Sequence, residues 1–89
     1  MSKCHLRFSP EAWDQYSYWQ RTDKAILKKL NRLLEAVVRE PYEGIGKPEQ
    51  LHGNLAGFWS RRISDEHRLV YRMAGGDIEI ASCRFHYEK

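Results

Sequence analysis

The sequence has few cysteines and lacks any long apolar run. Its two cysteines, Cys4 and Cys83, lie far apart and form no C-x-x-C pair, so the spacing indicates neither a zinc site nor a redox motif. Both are expected to be buried, reduced thiols in strands. No apolar stretch approaches the roughly 18 residues that a membrane span requires, and the N-terminus lacks the pattern of a secretion signal. We therefore expect a cytoplasmic protein without a membrane partner.

Positive charge is in only slight excess. The 89 residues include 15 lysines and arginines against 12 acidic residues, a formal net charge of +3. Eighty-nine residues predict one domain, residues 1–89. The positive excess grows toward the C-terminal half, which contains Arg61, Arg62, Arg68, Arg72 and Arg84. A polyanionic partner is compatible with this distribution, although a net charge of +3 is a weak indication.

The first part of the chain is patterned for a strand and a helix. Apolar and polar residues alternate over residues 3–8, which predicts a half-buried β-strand. Ser9, followed by a proline and a glutamate, is typical of a helix start and predicts a helix to about Gln20. An aromatic stripe that includes Trp13 is expected to face the core.

A second helix is predicted from the spacing of apolar residues after Thr22, which we expect to be its cap. Isoleucine, leucine and valine recur at helical intervals until Pro41, so the helix should have about four turns. Its other face is basic, which favours a solvated surface but is compatible with an RNA surface.

The C-terminal half is patterned for strands after a long loop. Residues 42–57 hold four glycines and a proline, which predicts an ordered loop of functional length. Strands are predicted over 58–63, 67–73 and 78–85, with Gly75 and Gly76 in a tight hairpin. The expected fold is α+β, with two N-terminal helices packed on a mainly antiparallel sheet of about four strands.

Three strings carry candidate chemistry: G-K-P-E-Q-L at 46–51, W-S-R-R-I-S-D-E-H-R-L-V-Y at 59–71 and C-R-F-H-Y at 83–87. Together they supply an acid, several arginines, a histidine and a tyrosine. Cleavage of RNA through its own 2′-hydroxyl needs a base, an acid and fixed positive charge, and it needs no metal or cofactor. The leading hypothesis is a small ribonuclease that requires neither.

Further strings extend over nearly the whole chain: W-D-Q-Y-S-Y-W-Q at 13–20, T-D-K at 22–24, E-G-I-G-K-P-E at 43–49, L-A-G-F-W-S-R-R-I at 55–63 and E-H-R-L-V-Y at 66–71. With the C-R-F-H-Y ending, the sequence resembles the YoeB toxins of bacterial toxin–antitoxin systems, within the RelE/ParE superfamily. The resemblance implies a RelE-like fold and a ribosome-dependent endoribonuclease that cleaves mRNA and inhibits translation. It also implies a homodimer and a YefM-like antitoxin that displaces the C-terminal residues.

The resemblance also implies roles for individual residues, each matched by position. Four match catalytic positions: Glu49 as general base, Arg68 for the phosphate and its transition-state charge, His86 as general acid and Tyr87 for substrate orientation. Four others match supporting or phosphate-binding positions: Lys47, His52, Arg62 and Glu66. Glu66, two residues before Arg68, could hold its guanidinium in place. No metal ligand is implied.

Each residue also has an ordinary interpretation. Glu49 fits a surface acid in a loop, Arg62 fits protection of an edge strand, and Arg68 fits an exposed strand residue. His86 fits a solvated histidine near the chain end, and Tyr87 fits a ring packed on the sheet. The alternative function is a non-catalytic, ParE-like binding toxin on the same scaffold. The joint presence of a base, a clamp and an acid favours the nuclease.

Two departures from the family pattern affect the predicted chemistry. Gln50 and His52 replace the usual proline and lysine, so a fixed positive charge is missing unless His52 is protonated, and activity would then depend more on pH. Glu88 and Lys89 follow the usual terminal H-Y, and Glu88 could weaken RNA binding or raise the pKa of His86. A third hypothesis is a ribosome-bound translation blocker with an impaired nuclease centre.

Overall fold

The computed structural model describes residues 4–85. Elements follow in this order: β1 (Leu6–Phe8), α1 (Pro10–Thr22), α2 (Lys24–Arg39), β2 (Glu49–Gln50), a short 3₁₀ helix (Gly53–Leu55), β3 (Trp59–Arg62), β4 (Arg68–Ala74) and β5 (Asp77–Ser82). The predicted sequence of one strand, two helices and three strands is confirmed, and β2 is an additional short strand within the predicted loop.

Both helices begin at side-chain caps. The Ser9 Oγ accepts a 3.0 Å hydrogen bond from the Ala12 N–H, as predicted for the start of α1. The cap of α2 is Asp23, whose Oδ1 accepts from the Ile26 N–H at 3.1 Å. The prediction of Thr22 as this cap is wrong, because α1 runs two residues past Gln20 and the Thr22 hydroxyl donates to the Tyr18 carbonyl.

The sheet has five strands in the order β1-β5-β4-β3-β2. Strands β2 to β5 pair antiparallel, and β1 pairs parallel to β5. The mainly antiparallel α+β fold is confirmed, whereas the predicted number of about four strands is one too few. Two residues are too short a segment to show the alternation that marks a strand, so the pattern did not reveal β2. Strand β1 is also shorter than predicted, because Cys4 and His5 precede it.

The helices cover one face of the sheet. The core consists of Ala12 and Trp19 of α1, Leu30, Leu33 and Val37 of α2, Leu69 and Tyr71 of β4, Ile78 and Ile80 of β5, and Cys83. The residues between these on the strands belong to the opposite face. We call this opposite face, defined by Glu49, Ser60, Arg62, Arg68 and Val70, the open face. Glu49 and Arg62 are exposed on it, whereas Ser60 and Val70 at its centre are each only 2% exposed.

The aromatic and cysteine predictions are only partly correct. Trp19 is 5% exposed in the core, but Trp13 is 53% exposed and contacts Phe8 edge-on with 5.8 Å between the ring centroids. Cys83 is buried as predicted and Cys4 is half-buried, but neither lies in a strand, because β5 ends at Ser82 and β1 begins at Leu6. A helix with aromatic residues on two faces cannot bury both against one sheet.

Candidate active site

Strand register places Glu49, Arg62 and Arg68 on the open face. Glu49 is paired with Ser60, and Ser60 is paired in turn with Val70. Arg68 lies two residues before Val70 on β4 and therefore on the same face. With strands about 4.8 Å apart and a rise of about 3.4 Å per residue, the Glu49 and Arg68 Cα atoms are roughly 12 Å apart. Long side chains can approach a common ligand across this distance.

Arg62 and Arg68 lie directly opposite each other on β3 and β4. Arg62 is exposed and Arg68 is half-buried. Like charges at directly opposite positions of a sheet repel each other, and an anion between the two guanidinium groups would offset that repulsion. The interpretation of Arg62 as edge protection is wrong, because its backbone N–H donates to the Gly46 carbonyl at 2.6 Å and is not at a free edge.

The Arg68 guanidinium is anchored to the turn before β4. Its Nη1 donates to the Ser64, Asp65 and His67 carbonyls at 2.6, 3.2 and 3.1 Å. Glu66 lies exposed in that turn, and within residues 4–85 no hydrogen bond or ion pair joins it to Arg68. The expectation that Glu66 holds the guanidinium is therefore wrong in this structure, since backbone carbonyls do so.

The end of the described chain lies at the start of β4. The Phe85 carbonyl accepts from the Arg68 N–H at 3.2 Å, and the Phe85 N–H donates to the His67 Nδ1 at 2.7 Å. Phe85 has a φ of +66°, so the chain turns sharply there. His86 and Tyr87, predicted as the acid and the orienting residue, lie outside the described residues, as do Glu88 and Lys89.

The segment before Phe85 is held against α1. The Cys83 N–H donates to Gln15 Oε1 at 2.6 Å, and the Trp19 indole donates to the Cys83 carbonyl at 2.9 Å. The Arg84 guanidinium carbon lies 3.7 Å from the centroid of the Tyr18 ring, in a cation–π contact. Three contacts with one helix therefore determine the direction in which the chain reaches β4.

The remaining candidates flank Glu49. Lys47 is exposed and has a φ of +53°, a left-handed conformation that is uncommon for a lysine. His52 is exposed at the start of the 3₁₀ helix, where its side chain forms no capping hydrogen bond. Glu49 itself is exposed in β2. The structure thus gives Glu49 a register position on the sheet and leaves Lys47 and His52 in the loops around it.

Two shifted pKa values have clear physical causes. Burial raises the pKa of the Cys83 thiol from its ordinary value of 9.0 to about 12, so no thiolate is available near neutral pH. The Glu79 carboxylate accepts hydrogen bonds at 2.8 Å from Arg72 and Arg7, and the Arg72 bond is the largest cause of its lowered pKa. Glu79 thereby offsets two arginines on the sheet surface.

The described residues hold neither a cluster of metal-ligating side chains nor a membrane-spanning helix. Within residues 4–85, no three His, Cys, Asp or Glu side chains gather as a possible metal site. Over the same range, no helix has both the length and the apolar character that a membrane crossing requires.

Sequence reasoning did not identify His67 and Arg61 as part of the site's support. His67 has the same strand phase as the core residues Leu69 and Tyr71, which could have indicated that it faces inward. Arg61 is fully buried, but its neighbour Arg62 is also an arginine, so alternation could not show which of the two faces the core. The inward position of Arg61 follows from the register of β3 with β4.

The arrangement is suited to binding and attacking a phosphodiester. Two guanidinium groups can hold phosphate oxygens, and a carboxylate on the same face can accept a proton from a neighbouring hydroxyl. Exposed Phe85 lies beside the buried His67 ring, with 5.7 Å between the centroids, and offers an aromatic surface at the edge of the site.

Comparison with known proteins identifies the family of this chain. A family model described as the YoeB-like toxin of bacterial type II toxin–antitoxin systems matches residues 8–87. Toxin YoeB of Escherichia coli K12 is 57% identical over 82 residues, which are 92% of this chain and 98% of the relative. A solved structure of the YoeB dimer from Staphylococcus aureus has a TM-score of 0.88 at 49% identity and covers 97% of this chain and 100% of its own. A heterotetrameric YoeB–YefM complex from the same organism has a TM-score of 0.86 at 49% identity, with the same coverage. The chain therefore belongs to the YoeB-like toxins of bacterial type II toxin–antitoxin systems.

Proposed function

We propose that this toxin is a ribosome-dependent endoribonuclease that cleaves mRNA without a metal ion and so inhibits translation. The observation that supports this best is the pairing of Arg62 with Arg68 on the open face that also carries Glu49. Two opposed arginines repel each other, and a phosphate between them would offset that repulsion. A carboxylate on the same face provides the base that a 2′-hydroxyl needs.

The proposed reaction is a transesterification at phosphorus. Glu49 accepts the proton of the 2′-hydroxyl while the 2′-oxygen attacks phosphorus, and the bond to the 5′-oxygen breaks. His86 gives a proton to that leaving oxygen, and Tyr87 orients the substrate. The products are a 2′,3′-cyclic phosphate and a 5′-hydroxyl. Each proton transfer is expected to contribute about 10²- to 10⁴-fold to the rate.

Arg68 has a central part in this mechanism, because its side chain is already oriented. The hydrogen bonds from Nη1 to backbone carbonyls restrict the guanidinium before substrate binds. A restricted donor loses little freedom on binding and stabilises the transition-state charge more effectively than a mobile one. Lys47, Arg62 and protonated His52 add positive charge around the phosphate.

Partners follow from the relatives and from charge. Dimeric YoeB and the YoeB–YefM complex of S. aureus support a homodimer and a YefM-like antitoxin for this chain as well. We infer that its other partners are the ribosome and mRNA in the bacterial cytoplasm, with basic side chains contacting RNA phosphates.

The test is primer extension on mRNA in a purified translation system. Arg68→Ala and His86→Ala are expected to lower cleavage at ribosome-occupied codons about a hundredfold, the effect of losing a charge clamp or a proton donor. Arg32→Ala is the matched arginine control, because Arg32 is exposed on the outer face of α2, and it should leave cleavage unchanged. Growth inhibition by the unaltered protein without any mRNA cleavage would overturn the proposal in favour of a binding toxin.

A further inference from the structure

Arg61 is fully buried on the helix-facing side of β3 and binds a segment of backbone that leads to Glu49. Its Nη2 donates to the Glu40 and Glu43 carbonyls at 2.5 and 2.8 Å, and its Nη1 donates to the Ile45 carbonyl at 3.1 Å. One guanidinium thus holds three carbonyls of residues 40–45.

Tyr71 completes this arrangement from the neighbouring strand. Its hydroxyl accepts from Arg61 Nε at 3.0 Å and donates to the Pro41 carbonyl at 2.6 Å. The Tyr71 ring is itself fully buried in the core. We call the Arg61 and Tyr71 side chains, with their bonds to residues 40–45, the Arg61–Tyr71 latch.

The latch lies directly before the residues that carry the proposed base. The Gly46 carbonyl accepts from the Arg62 N–H, and only Lys47 and Pro48 separate Gly46 from Glu49. After Glu49, the next hydrogen bond outside the short β2 pairing joins the Leu51 N–H to the Phe58 carbonyl. Because β2 pairs over only two residues, the latched segment determines where the chain enters it.

A core role alone does not explain a buried arginine at this place. Burying a guanidinium is costly, and within the described residues no carboxylate forms an ion pair with Arg61. An apolar side chain of similar volume often serves a core as well or better. The feature that an apolar residue cannot reproduce is the simultaneous orientation of several carbonyls in one loop.

We propose that Arg61 and Tyr71 are positioning residues for Glu49, acting through the backbone of residues 40–48. This inference rests on the proposed ribonuclease function. The latch holds the loop so that the Glu49 carboxylate stands at the correct distance from the phosphate held by Arg62 and Arg68. A displacement of a reacting group by about 1 Å can lower a rate about a hundredfold, so loosening the latch should slow cleavage without weakening RNA binding.

Tyr71→Phe is the sharpest variant, because it removes one hydroxyl and keeps the buried ring. We expect it to lower the single-turnover cleavage rate at saturating ribosome complex about three- to tenfold, with unchanged affinity for the complex. Tyr16→Phe is the matched control, since it also removes one tyrosine hydroxyl bond, to Asn31, but on the helices. Its rate should equal that of the unaltered protein.

A double-mutant cycle tests whether the effect acts through Glu49. Tyr71→Phe should slow cleavage by the unaltered protein but not by the already slower Glu49→Gln variant. In that variant residue 49 is no longer a base, so its position no longer affects the rate. Hydrogen exchange provides a readout that is independent of activity. The Arg62 amide, bonded to Gly46, should exchange faster in Tyr71→Phe, while the Ile78 amide, bonded to His5, should not change.

The outcomes separate this inference from the proposed function. Equal slowing by Tyr71→Phe with Glu49 and in the Glu49→Gln background would overturn the positioning role and leave the nuclease standing. An unchanged rate in Tyr71→Phe would also overturn the positioning role alone. No effect of Glu49→Gln would overturn the positioning role together with the assignment of Glu49 as the base, while cleavage by the unaltered protein would keep the nuclease function. Absence of cleavage by the unaltered protein would overturn the ribonuclease function and this inference together.

Discussion

The backbone N–H of Phe85 donates a 2.7 Å hydrogen bond to Nδ1 of His67. To accept this bond, His67 must have an unprotonated Nδ1. The His67 ring also contacts Trp19 edge-on, with 4.7 Å between the centroids, so its orientation is determined by the core. A buried ring thereby holds the last described residue of the chain next to Arg68, and Phe85 directly precedes the proposed acid, His86.

His67→Phe should separate this role from packing. The phenyl ring can still contact Trp19, but it cannot accept the Phe85 N–H. We expect cleavage to fall by about tenfold or more and stability to fall by about 1 kcal/mol, the usual net value of one hydrogen bond. Rates and thermal unfolding should be compared with His5→Phe, which alters an exposed histidine. Full activity of His67→Phe would show that the bond does not position the C-terminal residues.

Gly46→Ala should be more destabilising than Gly57→Ala. Both glycines have positive φ, +85° and +94°, so each substitution introduces backbone strain of about 1–2 kcal/mol. An added Cβ at Gly57 meets nothing within 4 Å, but at Gly46 it would lie 2.7 Å from Leu33 Cδ2 and 3.3 Å from the Arg62 carbonyl. Leu33 is fully buried and cannot move freely.

Overpacking should therefore add about 1–3 kcal/mol to the cost of Gly46→Ala. Urea unfolding of the two variants provides the measurement. Equal free energies of unfolding would contradict the close approach of residue 46 to the core.

Cys83 should be unreactive in the folded protein. Its raised pKa and complete burial predict that a thiol reagent at pH 8 modifies half-buried Cys4 slowly and leaves Cys83 intact, whereas both react in denaturant. Mass spectrometry of the modified chain gives the number of modified cysteines. Rapid modification of Cys83 under native conditions would disagree with its buried position.

The same shift predicts a pH dependence of stability. The thiol stays protonated in the folded state up to about pH 12 and ionises near pH 9.0 when unfolded. Its contribution is thus fully present below pH 9 and is lost above it, by at most about 1.4 kcal/mol per pH unit. Burial also raises the pKa of Tyr71, so the comparison is between the unaltered protein and Cys83→Ala, whose alkaline slope should be smaller.

Arg62→Ala should weaken RNA binding and raise the stability of the fold. Removing one of two opposed arginines relieves repulsion, so the free energy of unfolding at low salt should rise by about 0.2–1 kcal/mol. RNA affinity should fall, with its salt dependence reduced by about one unit of slope, as expected for one lost phosphate contact. Arg32→Ala on α2 should change neither quantity, and a destabilised Arg62→Ala would contradict the proposed repulsion.

Local residue patterns were sufficient to predict the helices and the long strands. The Ser9 start, the helical spacing up to Pro41 and the double glycine at 75 and 76 each express a backbone preference that acts within a few residues. The family strings likewise predicted the YoeB-like family, which the comparisons confirm. Where two neighbouring residues compete locally, as Thr22 and Asp23 do for the cap of α2, the pattern was ambiguous and the prediction was wrong.

The residue types alone predicted the kind of chemistry at the site, because few reactions use a carboxylate, paired arginines, a histidine and a tyrosine together. The positions of these residues relative to one another could not be predicted, because they depend on contacts between distant parts of the chain. The two-residue strand that carries Glu49, the inward turn of Arg61 and the bond between His67 and Phe85 all arise from strand register and core packing. The hydrogen bonds from Arg61 to Tyr71 and to Glu40, and from Phe85 to His67, join residues 10, 21 and 18 positions apart, where local preferences have no influence.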